Sequence, residues 1–372
     1  MKNIIEKAYL IKLTLFNLMK FKKLESSYNS NKKREKVILV IKTDGLGDYI
    51  IFRNFLNKLK KVKKEKIVLI SNELWKDISL NFDKNVVDEF LFVNRNSFVK
   101  DWDYRQNLLK KLDKYDISEV IYPTFSRQFE IDYFISKINS PKKIAFKGDC
   151  SNILKVQKNI SDKYYTRLIK INSPHEFDKD KEFFEKYLGI KIRFYKPFLD
   201  VEENEEYKKQ KYFVISPGTS SNIKWKVWDK HKFAKIIDYL IIKYQYDIII
   251  IGSKEERVFI DEIISLCDNT DFIENKAGIG LKEVVDIINS SNGFVSNDTG
   301  TAHICVALDK KLFLISNGTH YKRFHPYKNY DKAEYVYPKE FNKSKLTKRG
   351  RCFMNINKIL FEDLKEKINN TF

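Results

Sequence analysis

The chain has 372 residues, 43% of them hydrophobic and 32% charged; that length points to two domains, and that composition excludes a disordered polymer. Seventy Lys and Arg stand against 50 Asp and Glu, a formal net charge of +20, which favours nucleic acid, anionic lipid headgroups or a phosphorylated substrate without choosing among them. Four well-separated cysteines, Cys150, Cys267, Cys305 and Cys352, argue against a zinc site or a disulfide framework and fit a reducing cytosol.

Residues 1–36 carry ten Lys or Arg against three Glu, mixed with Ile4, Leu10, Leu15, Phe16 and Phe21. Such a basic amphipathic extension lies in an anionic membrane interface, packs as an ordinary helix on the first domain, or forms a floppy leader. Its most apolar run, Ala8 to Phe21, is broken by Lys12 and Lys20 and lacks a small-residue cleavage site, so it reads as neither a membrane span nor a secretory signal. From residue 37 onward, β-branched runs alternate with amphipathic stretches of helix length. The first unit has strands at Val37–Lys42, Lys66–Ser71, Val87–Val93, Ile117–Pro123 and Lys142–Phe146. Helices are expected at Tyr49–Lys61 and up to Asp113, and another at Glu176–Leu188 after an irregular stretch, Lys147–Ser173. Val201–Lys211 reads as an interdomain linker. The second unit alternates strands at Tyr212–Ser216, Tyr246–Ile251, Gly293–Ser296 and Leu312–Ser316 with helices at His231–Lys243, Glu255–Cys267, Leu281–Ser291 and Thr301–Leu308. Near-continuous apolar strands with helical crossovers indicate α/β units with parallel sheets covered on both faces. Two such doubly wound units leave a ligand-binding crevice between the carboxyl ends of their strands.

Three strand-to-helix turns hold the candidate site residues. The first is Thr43-Asp44-Gly45-Leu46-Gly47-Asp48. Gly45 and Gly47 permit a tight turn and close ligand approach, but the third glycine of a dinucleotide fingerprint is missing, and so is the Gly-Lys-Ser/Thr of a Walker A loop. Asp44 and Asp48 bracket the turn; a carboxylate there either caps the helix or works as a catalytic acid or base. The second turn is Ser216-Pro217-Gly218-Thr219-Ser220-Ser221, followed by Lys224, Lys226 and Trp228. Small hydroxyls, exposed backbone N–H groups and a lysine suit phosphate oxygens, although a Pro-Gly turn before a helix is also common. The third is Ser296-Asn297-Asp298-Thr299-Gly300-Thr301-Ala302-His303. Thr299 and Gly300 would present N–H donors at a helix start, with His303 one turn further on the same side as Thr299.

In this order and spacing the turns resemble the heptosyltransferase family, glycosyltransferase family 9, over about residues 37 to 365. The stretches that carry the likeness are VIKTDGLGD, VISPGTSSNIKWKVW with KFAKII and IIIIGSKEER, NKAGIGLKEVVDIINSSNGFVSNDTGTAHICVAL, and the ending RCFMNINKILFEDL. The resemblance implies a GT-B fold, two Rossmann-like doubly wound domains facing across a cleft. Residues 37–200 would form the acceptor domain and 201–345 the nucleotide-sugar domain, with a C-terminal helix in 346–372 packing back on the N-terminal domain. It also implies inverting, metal-independent transfer of a sugar, heptose by default, to lipopolysaccharide core or another bacterial surface glycan. The donor would be a nucleotide sugar, ADP-heptose by default, with no further cofactor. Asp48 would be the catalytic base, beside the acceptor-side turn Asp44, Gly45 and Gly47. The donor would be held by Thr219, Ser220, Ser221, Lys224 or Lys226, Glu256, Asp298, Thr299, Gly300 and His303. Lys226 keeps the family's spacing to Trp228 and Lys224 its spacing to Gly218, so both remain open. The expected location is cytoplasmic, with peripheral contact to the anionic inner membrane as one reading of residues 1–36.

The chain departs from the family at Ser253, which replaces a second glycine, at Thr301-Ala302, and at Asn317-Gly318-Thr319. The following loop, Thr319–Tyr327, is rich in Tyr, His and Arg and faces the sugar in the family, so it bears on which sugar is used. Two other classes stay in view. A nucleotide-sugar epimerase on the same scaffold would turn over donor without acceptor. A non-catalytic polyanion-binding protein would answer to the charge, yet no nucleic-acid module or cluster of stacking aromatics accompanies it, and no nucleic-acid partner is expected.

Overall fold

A computed structural model of the protein describes residues 34–219, 224–342 and 354–372. Its strands are the β-branched and aromatic runs. In the first half these are β1 (Glu35–Lys42), β2 (Lys66–Asn72), β3 (Glu89–Val93), β4 (Tyr115–Tyr122), β5 (Lys142–Phe146) and β6 (Arg167–Ile169), paired in the order β3-β2-β1-β4-β5-β6. The second half has β7 (Tyr212–Ser216), β8 (Asp247–Ile250), β9 (Ile273–Asn275), β10 (Gly293–Asn297), β11 (Leu312–Ile315) and β12 (Ala333–Val336), in the order β12-β11-β10-β7-β8-β9. Every pairing is parallel. Both sheets start in the middle, wind to one edge and return to build the other. The winding reverses between β1 and β4 and between β7 and β10, and at such switch points the diverging loops leave a crevice at the strand ends.

The strand β1 shows why the strands read as unbroken apolar runs. Ile38 and Val40 face one layer and Val37, Leu39 and Ile41 the other, all of them buried. The inner layer is continuous across both halves: Ile38, Val40, Phe52 and Phe55 share one core with Tyr212, Val214, Ala302 and Leu312. Outer layers close each half, with Phe98 and Phe134 behind the first sheet and Trp228, Phe233 and Leu240 behind the second.

Among the helices, those that frame the site or its supports are α1 (Leu46–Phe52), α2 (Asn54–Lys63), α3 (Lys76–Phe82), α4 (Glu176–Leu188), α5 (Lys230–Tyr244), α6 (Leu281–Ser290), α7 (Gly300–Ala307) and α8 (Phe361–Asn369). The single helix expected at Tyr49–Lys61 is a pair, α1 and α2, meeting at Arg53. The Arg53 guanidinium is drawn to Asp83 at 2.8 Å and to the carbonyls of Phe82 and Phe198 at 3.0 and 2.9 Å. The stretch Lys147–Ser173, read as irregular, contains a helix at Lys155–Ser161 and β6. With β9 and β12, β6 completes a set of edge strands three or four residues long that the sequence pattern did not reveal.

The expectation for the C-terminal helix is corrected: α8 packs on the second half, not the first. Leu364 and Ile368 are buried in the outer core with Phe233 and Ile237, and Asn369 accepts a hydrogen bond from Tyr239 of α5 at 2.5 Å. The apolar stripe of α8 matches the exposed flank of α5 and the edge of the second sheet, so the burial that drives docking is found there. The basic extension lies outside the described residues except for residues 34–36, of which Glu35 and Lys36 already belong to β1. The Cys352 end of the RCFMNINKILFEDL stretch is outside them too. No helix of the described residues is long and apolar enough to cross a membrane.

Candidate functional site

The turn Thr43–Asp48 leaves β1 at the switch point of the first sheet. Asn72 and Trp75 donate to the Asp44 carbonyl at 3.2 and 3.1 Å and pin its backbone. The Asp44 carboxylate accepts from Thr124, beyond the end of β4, at 2.7 Å and pairs with Lys42 at 3.1 Å. Lys42 also donates to the Pro123 carbonyl at 3.0 Å. Burial disfavours the Asp44 charge, but Lys42 and Thr124 prevail and lower its pKa. Asp44 is therefore an ionised tie across the switch point. Asp48 sits in the first turn of α1, and its Oδ2 folds back to 3.4 Å from where a methyl on Gly45 would stand. Burial, then the charge of Asp44, pushes the Asp48 carboxyl up to about 6, with Lys42 pulling the other way. A carboxylate tuned towards neutrality beside a cleft is suited to accept a proton. A second such group stands near it: burial, opposed by Lys42 and reinforced by Glu176, Asp48 and Asp44, pushes Asp180 of α4 up to about 8.

The two turns of the second half are laced together. Asn297 donates to the Pro217 carbonyl at 2.5 Å. The hydroxyls of Ser216 and Thr301 lie 3.2 Å apart, those of Thr299 and Thr301 2.8 Å, and those of Ser296 and Thr299 3.2 Å. Thr299 precedes α7 in an extended conformation with no side-chain cap. The first N–H groups of α7, at the positive end of its dipole, therefore have no side-chain cap from Thr299, and a helix start of this kind suits an anion. Glu256 lies against the other turn so closely that a methyl on Gly218 would fall 2.0 Å from its Oε1; its Oε2 accepts from the Ser253 amide at 2.7 Å.

Basic side chains gather round Asp298. Lys226 Nζ stands 4.0 Å from its carboxylate, His320 Nδ1 3.3 Å and His325 Nε2 3.9 Å, and Lys226 and His320 are 3.0 Å apart. Burial disfavours the Asp298 charge, yet His320, Lys226 and His325 hold its carboxyl well below the usual carboxylate range. Burial lowers the Lys226 pKa against the pull of Asp298. Burial and the neighbouring His325 take His303 well below the ordinary histidine value, so its ring is neutral. That ring stacks on His325 with centroids 4.8 Å apart, and its Nδ1 is 2.7 Å from the Tyr327 hydroxyl.

The two halves meet at this point. A methyl on Gly47 would lie 2.6 Å from His303 Cδ2 and 3.2 Å from Nε2; one on Gly300 would lie 3.2 Å from the Gly47 nitrogen. Helices α1 and α7 therefore begin against each other, with Asp48 and Asp298 on either side, and both charges act on Tyr327. Further ties flank the contact. The Glu176 amide donates to the Arg323 carbonyl at 2.7 Å, Arg323 donates to the Glu176 carboxylate at 2.8 Å, and Lys328 pairs with Asp178 at 2.9 Å. His175 Nε2 is 2.8 Å from the Phe324 carbonyl. On another flank Asp77 of α3 accepts from the Lys282 amide at 2.7 Å and so caps α6 of the other half.

Of the expected site residues, the structure brings together Asp44, Gly45, Gly47, Asp48, Lys226, Asp298, Thr299, Gly300 and His303, with Thr219 and Glu256 along the second-half turn. Ser220, Ser221 and the side chain of Lys224 lie outside the described residues; Lys226 stands 4.0 Å from Asp298. Sequence reasoning missed Lys42, His175, Glu176, Asp180 and the individual roles of His320, Arg323, His325 and Tyr327. The density of His, Arg and Tyr in Thr319–Tyr327 was the visible signal: four of the chain's five histidines converge here, three of them close to Asp298. Among the described residues no group of three or more His, Cys, Asp or Glu side chains is arranged to hold a metal ion.

Two doubly wound sheets facing across a cleft, with a tuned carboxylate on one side and a helix start beside Lys226 on the other, define a GT-B glycosyltransferase scaffold. The family model of glycosyltransferase family 9 (heptosyltransferase) matches residues 133–352, and the chain belongs to that family. Two curated relatives are both lipooligosaccharide heptosyltransferase 2. The Haemophilus ducreyi protein is 33% identical over 94 residues, 24% of this chain, and the Haemophilus influenzae protein 25% identical over 232 residues, 58% of it. The matched segments span 27% and 64% of those relatives' lengths. The fold is shared with a solved glycosyl transferase family 9 protein from Veillonella parvula, at a TM-score of 0.71 and 17% identity over 92% of this chain and 98% of that one. It is also shared with the E. coli ADP-heptose lipopolysaccharide heptosyltransferase II, at 0.67 and 16% over 90% and 98%.

Proposed function

We propose that the protein transfers a sugar, heptose by default, from an ADP-linked donor to a lipopolysaccharide core or related surface-glycan acceptor, with inversion and without a metal ion. The observation that carries this reading is the contact of Gly47 with His303 and Gly300, which puts the turn bearing Asp48 beside the turns bearing Asp298, Thr299 and Lys226. A hydroxyl is a poor nucleophile near neutral pH. Asp48 takes the acceptor's proton as its oxygen attacks the anomeric carbon, assistance worth roughly 10²–10⁴-fold. The bond from that carbon to the diphosphate breaks on the opposite face, and the leaving group departs with the electron pair. Lys226, the N–H groups at the start of α7 and the Thr219 turn meet the developing charge. One base and one departing group in a single displacement account for inversion, and these donors carry the charge a metal would otherwise neutralise. Glu256 is assigned to the donor nucleotide. On this reading the protein works on the cytoplasmic side, with residues 1–36 making a peripheral contact to anionic lipid.

The test is Asp48→Asn, which keeps the shape and removes the base. With ADP-heptose and a lipopolysaccharide core acceptor, transfer should be lost while ADP still binds at close to the wild-type Kd. Undiminished turnover by Asp48→Asn would overturn the assignment.

A further inference from the structure

Resting on the reading of this cleft as the site of sugar transfer, we propose that Tyr327 is a positioning residue for His303. Its phenol donates a hydrogen bond to Nδ1, fixing the imidazole as the Nε2–H tautomer with that N–H turned to the gap between the strand-end turns.

The geometry comes first. The Tyr327 hydroxyl is 2.7 Å from His303 Nδ1, and both side chains are buried. The opposite edge of the imidazole, Cδ2 and Nε2, is the edge that faces Gly47. With Nδ1 taken by the phenol, Nε2 is the nitrogen left for a bound ligand. Tyr327 is itself held edge-on by three rings: His175 with centroids 4.7 Å away, His325 at 5.5 Å and His303 at 5.9 Å. The phenol therefore cannot swing away without disturbing all three.

The direction of the bond follows from donor and acceptor strength. Burial keeps the phenol protonated and the imidazole neutral. Between a neutral phenol and a neutral imidazole, the phenol O–H is the better donor and the imidazole lone pair the better acceptor. The reverse arrangement would leave the phenol proton to seek another acceptor in a buried site, which is unfavourable. The hydrogen bond made by one ring nitrogen sets what the other can do, so Nε2 carries the proton. His303 then offers a ligand oxygen a neutral N–H. Charge neutralisation is left to Lys226 and the start of α7, and His303 supplies direction.

The protein has only five histidines, so two-bond nitrogen–proton correlation spectra of the ¹⁵N-histidine-labelled full chain resolve each ring, with His303→Gln assigning its signal. At pH 7 His303 should show the Nε2–H pattern. Tyr327→Phe, which preserves the ring packing, should convert it to a mixture containing the Nδ1–H form. With ADP-heptose as donor, Tyr327→Phe should lower kcat on the order of 10- to 100-fold, as loss of an orienting partner does elsewhere, with the Kd for ADP within about twofold of wild type. An Nδ1–H or doubly protonated His303 in the wild type would overturn the proposal, as would an Nε2–H pattern unchanged in Tyr327→Phe. The spectra need no substrate: if ADP-heptose proved not to be bound or used, the function proposed above would fail while the tautomer result still stood or fell separately.

Discussion

Alanine at position 47 sets two effects of opposite sign against each other. In the helix α1, exchanging Gly for Ala favours folding by up to about 1 kcal/mol, because glycine has more backbone freedom to lose. Against this, the new methyl would lie 2.6 Å from His303 Cδ2, well inside the ordinary carbon–carbon separation of about 3.5–4.0 Å. The imidazole cannot step aside easily, being stacked on His325 at 4.8 Å and bonded to Tyr327 at 2.7 Å. Overpacking of this kind costs about 1–3 kcal/mol. The two combine to a net destabilisation between zero and about 3 kcal/mol. Urea unfolding reads it directly: the midpoint of Gly47→Ala should fall with its slope unchanged. In a His303→Ala background the obstructing atoms are gone, and Gly47→Ala should be neutral or stabilising. The cycle should therefore show a coupling of about 1–3 kcal/mol. A raised midpoint for Gly47→Ala in the wild-type background, or an equal loss in both backgrounds, would refute the packing of α1 against α7 on which the site depends.

Two further predictions concern charge. Asp48 must be ionised to accept a proton, and its carboxyl is pushed up to about 6; kcat/KM should rise close to tenfold per pH unit below that value and level off above it, and a flat profile between pH 5 and 7 would exclude Asp48 as the base. Asp180, pushed up from 3.8 to about 8, binds its proton more tightly folded than unfolded, so its cost to stability is absent below about pH 4, grows as pH rises and is complete above about 8. Asp180→Asn should accordingly raise the thermal midpoint at pH 8 and change it little at pH 4, as followed by calorimetry; a variant no more stable than wild type at pH 8 would show that the carboxylate is better compensated than its surroundings imply.

Much of the architecture was legible because it is local. An apolar run such as Val37–Lys42 or Tyr212–Ser216 is a buried strand whatever lies around it, and the Gly-Asp and Asp-Thr-Gly turns between strand and helix follow from short-range backbone requirements. The edge strands β6, β9 and β12 were not legible. A strand three or four residues long at a sheet margin needs a single neighbour and little burial, so it leaves almost no periodic trace. The side on which α8 docks was not legible either: its stripe of Leu364 and Ile368 states that the helix is covered, and only the surface offered by α5 decides by what.

The same division runs through the site. The sequence by itself determined that two tandem doubly wound units would end central strands in glycine-containing turns, the first bearing carboxylates and those of the second unit suited to an anion, and that Asp48, Asp298 and His303 would belong to those turns. The tertiary structure alone decided their chemistry. Lys42 of β1 and Glu176 and Asp180 of α4 gather around Asp48, and His320, His325 and Tyr327 close around Asp298 and His303 from a loop whose composition did not disclose its path. Burial and charge–charge interaction depend on distance through space rather than along the chain, so which carboxylate is tuned towards neutrality and which is held ionised is settled only when the two halves meet.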